Sequence, residues 1–159
     1  MAELNTEGLE ELSYAFLRQE EEATATVEAM LEAEAQVYTE KLKESAQAYG
    51  IKKTGGFINS IKASKTKRED LAVYKTISPE GKAKHGADYG GGYSNKANKR
   101  QGSSSAGNVR YGAIGFIFEY GTSSMPARPW FTQGNLKAED EAHKKAMEIW
   151  EKYVEDSFK

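Results

Sequence analysis

The sequence predicts an α+β domain: a small antiparallel β-sheet packed by two N-terminal helices and one C-terminal helix, with a long flexible loop rich in Gly, Ser and Lys. Three observations predict it. Apolar residues recur at three-to-four spacing over the first 49 residues and again after residue 131. Short alternating runs separated by polar links and turn chemistry occupy the middle. Residues 81 to 110 hold 7 glycines and almost nothing aliphatic. At 159 residues the chain is long enough for a single domain, 1–159.

In the N-terminal region, 6–48, the helical stripe runs Leu9, Leu12 and Phe16, then Ala23, Val27, Met30/Leu31, Val37/Tyr38 and Leu42. Asn5 or Thr6 is a suitable N-cap, and Glu7, Glu10 and Glu11 sit near the positive end of the helix dipole. Gln19 to Glu22 interrupts the stripe, which predicts a short helix over 6–20 and a longer one over 23–48. Gly50 is placed to end the second. Residues 57–63 and 70–78 read as strands joined by the polar link 64–69. In the second, Leu71, Val73 and Ile77 share one face, which Lys75 interrupts. Ser78-Pro79-Glu80-Gly81 is turn chemistry.

The stretch 79–110 is read as a long, flexible, basic loop, with Gly90-Gly91-Gly92, Ser103-Ser104-Ser105 and only Tyr89 and Tyr93 as aromatics. Residues 111–120, Tyr-Gly-Ala-Ile-Gly-Phe-Ile-Phe-Glu-Tyr, read as the strongest strand, with Ile114, Phe116, Phe118 and Tyr120 on one face. Pro126 and Pro129 then impose a stiff, extended connector. An amphipathic helix over 132–157 closes the chain, its stripe running Leu136, Ala142, Ala146, Ile149/Trp150, Tyr153 and Phe158.

Composition narrows the function. The formal charge is -2 and charged residues make up 29 %, with mean hydropathy -0.72. That polarity points to long exposed segments or to surfaces buried only on assembly. No apolar run approaches the ~20 residues of a membrane span, and the acidic N-terminus lacks the order of a secretion signal. Without cysteine there are no disulfides and no thiolate chemistry. Charge is strongly segregated: residues 1–44 carry 12 acids and 3 bases, whereas residues 45–78 carry 7 bases and 2 acids.

Catalytic constellations are not found. His85 falls in the basic loop and His143 on the polar side of the last helix, neither with a second ligand at helical spacing. No serine occupies a Gly-x-Ser-x-Gly turn, and the glycine cluster lacks the Lys-Ser/Thr of a phosphate loop. No cofactor and no metal site is expected. The basic residues Lys82, Lys84, Lys96, Lys99, Arg100 and Arg110 are candidate contacts to DNA, to a channel wall or to a neighbouring subunit. The plainer account is that such lysines keep exposed loops soluble. This leaves a non-specific nucleic-acid-binding protein as the alternative reading.

Two motifs remain. The first is Thr54-Gly55-Gly56-Phe57-Ile58-Asn59-Ser60-Ile61, directly after the long helix. Its glycines permit a tight redirection, Phe57 and Ile61 can reach the core, and Ser60 can satisfy local backbone groups. The second is Phe118-Glu119-Tyr120-Gly121-Thr122, followed by Pro126-Ala127-Arg128-Pro129-Trp130-Phe131 and a helix. In this order and spacing they resemble the tail-completion, or neck, family of long-tailed bacteriophages, the small proteins that join a filled head to its tail. The similarity covers about residues 9–155. It departs where Ile51-Lys52-Lys53 replaces the usual proline, where Ile114-Gly115 replaces Tyr-Ala, and where Trp130 precedes Phe131.

The resemblance implies a structural virion protein, assembled in the host cytoplasm and residing in the neck, with no catalytic residues. It implies a homo-oligomeric ring, a hexamer, between head-connector or stopper proteins and tail-tube or tail-terminator proteins. Genomic DNA would pass through its channel, and no membrane is involved. The residues carrying the resemblance are Thr54, Gly55, Phe57, Ser60, Ile61, Glu119, Gly121, Thr122, Arg128, Pro129 and Phe131. Glu119 and Arg128 are expected to brace the Gly-Thr turn by a charge-assisted hydrogen bond.

Overall fold

A computed structural model describes residues 7–51, 55–69, 72–84 and 108–157. Helix α1 spans Glu7–Ala48 and the single-turn α2 spans Gly56–Ser60. Six three-residue strands intervene: β1 (Ile61–Ala63), β2 (Lys67–Glu69), β3 (Ala72–Tyr74), β4 (Ile77–Pro79), β5 (Lys82–Lys84) and β6 (Asn108–Arg110). Helices α3 (Tyr111–Tyr120) and α4 (Trp130–Ser157) complete the chain. The class is α+β, with helices and small antiparallel sheets.

The N-terminal region is one helix of 42 residues, not two. Gln19 to Glu22 breaks the apolar stripe but consists of good helix formers. Arg18 pairs with Glu22 one turn on at 2.9 Å, and the Thr24 and Thr26 hydroxyls donate to the Glu20 and Glu22 carbonyls. Local propensity therefore carries the helix through a stretch with no packing partner. The helix ends as expected at Gly50, φ 73°. The Ile51 amide donates to the Ala46 carbonyl and the Gly50 amide to the Gln47 carbonyl, satisfying two orphan acceptors.

Helix α4 packs antiparallel on α1. Leu42 meets Gly134, Val37 packs with Ala138 and Ala142, Lys41 bonds Glu141 at 3.1 Å, and Ala25 and Ala29 share a shallow groove with Ile149 and Tyr153. The buried face of α4 begins at Trp130 and continues as Gly134, Ala138, Ala142 and Ala146, four small residues one turn apart. A Cβ on Gly134 would lie 2.8 Å from Leu42 Cδ2 and 3.1 Å from its Cα, so the helices approach to backbone contact. This corrects the stripe read from the sequence: Leu136 is 61 % exposed, and Phe158 lies outside the described residues.

Three further corrections concern the sheet. Among the described residues the strands form three separate pairs and not one sheet: β1 pairs with β4, β2 with β3 and β5 with β6, all antiparallel. Residues 57–60, expected as strand, are helical. The run 70–78 divides into β3 and β4, which belong to different pairs, because Lys75 turns aside to bond Glu32 of α1. Leu71 lies outside the described residues.

Residues 111–120 form a helix, not a strand. An uninterrupted apolar run satisfies both periods, and here packing decides: Ile114, Gly115, Phe118 and Glu119 are buried on one helical face. Gly115 faces Trp130 and Phe57, where a Cβ would come within 3.1 and 3.3 Å. The expected loop over 79–110 is closed at its base by the β5–β6 ladder, with Ala83 fully buried. Its interior, with His85, Tyr89, Tyr93 and the glycine and serine clusters, lies outside the described residues, as do Asn5, Thr6, Lys52 and Lys53.

Candidate functional site

The two sequence motifs converge on one aromatic cluster. Gly55, φ 73°, turns the chain into α2, which drops Phe57 into the core at 2 % exposure. Phe57 meets Trp130, Phe118 and Tyr111 edge to face, with ring centroids 5.2, 6.0 and 6.3 Å away. Ile61 is fully buried beside it. The Ser60 hydroxyl donates to the Phe57 carbonyl at 2.6 Å, satisfying a buried backbone group. Thr54 lies outside the described residues.

Glu119 does not pair with Arg128. Its carboxylate accepts from the Phe131 amide at 2.7 Å, the Thr132 amide at 3.1 Å and the Thr132 hydroxyl at 2.6 Å. These are orphan donors of the first turn of α4. Helix α3 thus supplies both the N-cap and the negative charge that the α4 dipole favours. Trp130 closes the joint from the other side, its indole N–H donating to the Gly115 carbonyl at 3.0 Å. Arg128 turns to α1, reaching the Tyr49 carbonyl at 3.5 Å with its guanidinium 5.7 Å from the Phe118 ring centre. That places a cation at the negative end of α1.

Between α3 and α4 the connector is rigid. Gly121 has φ 72° and ψ -170°, a region essentially closed to other residues. A Cβ there would sit 2.6 Å from the Met125 carbonyl oxygen and 2.7 Å from the Ala127 nitrogen. Thr122 and Met125 exchange backbone hydrogen bonds, and the Arg128 amide donates to the Phe118 carbonyl at 2.7 Å. Pro129 then presets the chain for α4. Thr132 escaped the sequence reading, although a signal existed: Glu119 is the one charged residue between Tyr111 and Ala127, ahead of a helix with no acid in its first turn.

Among the described residues, Leu136, Met147 and Trp150 of α4 are exposed, but the aromatic side chains more than 60 % exposed stand at two places. On α3, Phe116 and Tyr120 are 65 % and 68 % exposed and stack with ring centroids 4.6 Å apart; Phe131 at the start of α4 is also exposed. On α1, Tyr14, Phe16 and Leu17 stand 72 %, 62 % and 58 % exposed, on a segment that runs past the end of α4.

Part of the charge segregation is resolved inside the chain: Arg68 bonds Glu28 at 2.6 Å, and Lys75 bonds Glu32. The candidate cations Lys82 and Arg110 are exposed and oppose each other across β5–β6, a like-charge pairing that weakens the ladder. The backbone of Lys84 pairs with that of Asn108. Lys96, Lys99 and Arg100 lie outside the described residues.

Titration shifts mark structural contacts. The Glu141 hydrogen bond pushes Lys41 up, and Lys41 holds Glu141 below its ordinary range. Burial, then Glu139 and Glu34, raise Tyr38. Among the described residues no cluster of three or more His, Cys, Asp or Glu side chains is placed to hold a metal ion, and no helix is long and apolar enough to cross a membrane. Comparison with family models, with curated proteins and with solved structures finds no match to this chain.

Proposed function

We propose that this chain is a structural component of a bacteriophage neck, forming a ring, a hexamer, that joins head connector to tail and completes the tail. The observation that carries the reading is the pair of separated aromatic exposures, one on α1 and one on α3, the second held to α4 by a rigid joint. Monomeric proteins rarely expose grouped aromatics on this scale; such patches mark interaction surfaces. Two distinct surfaces per subunit are what a closed ring of identical copies uses. The convergence of both resemblance motifs on the Phe57 cluster supports the same reading, since it gives each motif a shared architectural task. In this account the protein performs no catalysis, needs no cofactor and resides in the virion neck, with connector or stopper proteins on one face and tail-tube or terminator proteins on the other. The test is a nonsense mutation in the gene, complemented by the wild-type chain. DNA-filled heads accumulating beside unattached tails is the expected outcome; normal joined particles lacking the protein would overturn the reading.

A second reading, sequence-independent contact with DNA, draws on the exposed Lys82–Arg110 pair, whose repulsion an anionic phosphate would relieve. DNA affinity that falls steeply with salt, and that falls further in Lys82→Ala/Arg110→Ala, would favour it. The two readings are compatible in a ring that DNA crosses.

A further inference from the structure

Helix α1 is about 63 Å long and α4 about 42 Å. They run antiparallel, and toward its C-terminal end α4 shares a shallow groove with Ala25, Thr26 and Ala29 of α1. Every residue from Tyr14 to Glu22 is exposed, whereas Ala23 and Thr24 are half-buried, so the N-terminal part of α1 up to Glu22 forms an uncovered arm. The arm carries an apolar position in the phase of one that is covered farther along α1. Leu17 lies five full turns before Ala35, in the same helical phase. Ala35 is buried, whereas Leu17 is 58 % exposed. The stripe has lost its cover without losing its apolar character.

Three kinds of cover compete. The arm cannot fold back onto its own α3. Leu17 is about 38 Å of continuous helix from Leu42, which belongs to the same core cluster as Ile114 and Phe118 of α3. Two arms pairing with each other would bring together two segments that each carry six glutamates and one arginine over residues 7–24. The third cover is the head of a second copy. There Phe116 and Tyr120 form an exposed aromatic ledge, and Lys82 and Arg110 lie immediately before α3, opposed by Glu80 alone among the described acids from 72 to 118.

Resting on the ring reading above, we infer that the acidic arm of one subunit docks across the α3 ledge of its neighbour. Tyr14 and Leu17, one turn apart on one face of the arm, cover Phe116 and Tyr120, while the arm's glutamates face Lys82 and Arg110. The contact joins two different surfaces, so it propagates head to tail and closes into a ring or extends as a filament. It also relieves the Lys82–Arg110 repulsion.

Because the chain contains no cysteine, single-cysteine variants report the contact directly. Leu17→Cys and Tyr120→Cys are made separately, mixed, and treated with a short bis-maleimide. Cross-linking in the mixture is expected to exceed that of either variant alone by about tenfold. Leu17→Cys linking to itself as readily as to Tyr120→Cys would overturn the inference in favour of paired arms.

A second experiment mixes an arm variant, Tyr14→Ser/Leu17→Ser, with a head variant, Phe116→Ser/Tyr120→Ser, each checked for unchanged helicity. Each alone should be monomeric, and the mixture should stop at a dimer. Rings that persist in either variant would overturn the docking inference and leave the ring reading intact. A wild-type chain that stays monomeric at every concentration would overturn both.

Discussion

Replacing Glu119 tests the joint that holds α3, and with it the Phe116–Tyr120 surface, against α4. The carboxylate is 9 % exposed and accepts from two backbone amides and one hydroxyl at 2.7, 3.1 and 2.6 Å. Glu119→Gln keeps one acceptor oxygen and turns an amide N–H toward one of the two backbone donors. One charge-assisted bond is lost and a donor faces a donor, at a cost of ~1.5–3 kcal/mol. The ~1 kcal/mol usually measured for losing an N-cap is the same bond seen from the helix, so the two are not added. Burying an amide in place of a carboxylate returns part of this, which leaves ~2 kcal/mol. In a chain of this size that lowers Tm by ~4–8 °C. Glu119→Ala removes all three bonds and should cost ~3–4 kcal/mol. Thr132→Val removes only the hydroxyl and should cost ~1 kcal/mol. The assay is thermal and urea unfolding followed by circular dichroism, with a double-mutant cycle between positions 119 and 132. A Glu119→Gln melt within ~1 °C of wild type, or a coupling near zero, would refute the cap.

Gly121→Ala places a Cβ against backbone atoms in a glycine-only conformation and should destabilise by at least ~3 kcal/mol, with a Tm loss of ~6 °C or more. Ser45 is buried with its hydroxyl unpaired, so Ser45→Ala should leave the urea midpoint unchanged or raise stability by up to ~1 kcal/mol; a clear loss would mean that the hydroxyl has a partner. Glu141 titrates below its ordinary value of 4.5 because Lys41 bonds it. Its contribution is therefore present above that value and lost as pH falls through the lowered one. Acid melts should show a wild-type decline in that window that Glu141→Gln lacks. Lys41 titrates above 10.5, so its share of the pair persists below that pH and disappears only as pH rises beyond it.

The parts of the fold legible in the sequence were those set by local chemistry. Gly50 ends α1 and Gly55 turns the chain because a glycine at such a point permits a left-handed backbone. Phe57 and Ile61 reach the core as expected, although Phe57 does so from a helical turn and not from a strand. What escaped was decided by tertiary packing. The Tyr111–Tyr120 run contains no polar residue but Glu119, so neither period is disfavoured until Gly115 meets Phe57 and Trp130. The break at Gln19–Glu22 is a break in packing, not in helix propensity, which is why α1 continues through it as an uncovered arm. Glu119 and Arg128 have complementary charge, and pairing them was the natural inference. The unsatisfied amides at the start of α4 and the last carbonyls of α1 claim them separately.

The central claim is that this chain is an assembly part whose exposed surfaces are completed by other copies of itself. Native mass spectrometry of the full-length protein over a wide concentration range tests it most directly. A single closed species at a fixed multiple of the subunit mass, with no open ladder beyond it, is the expected result. A monomer at every concentration, with Phe116 and Tyr120 equally reactive to surface labelling throughout, would contradict it.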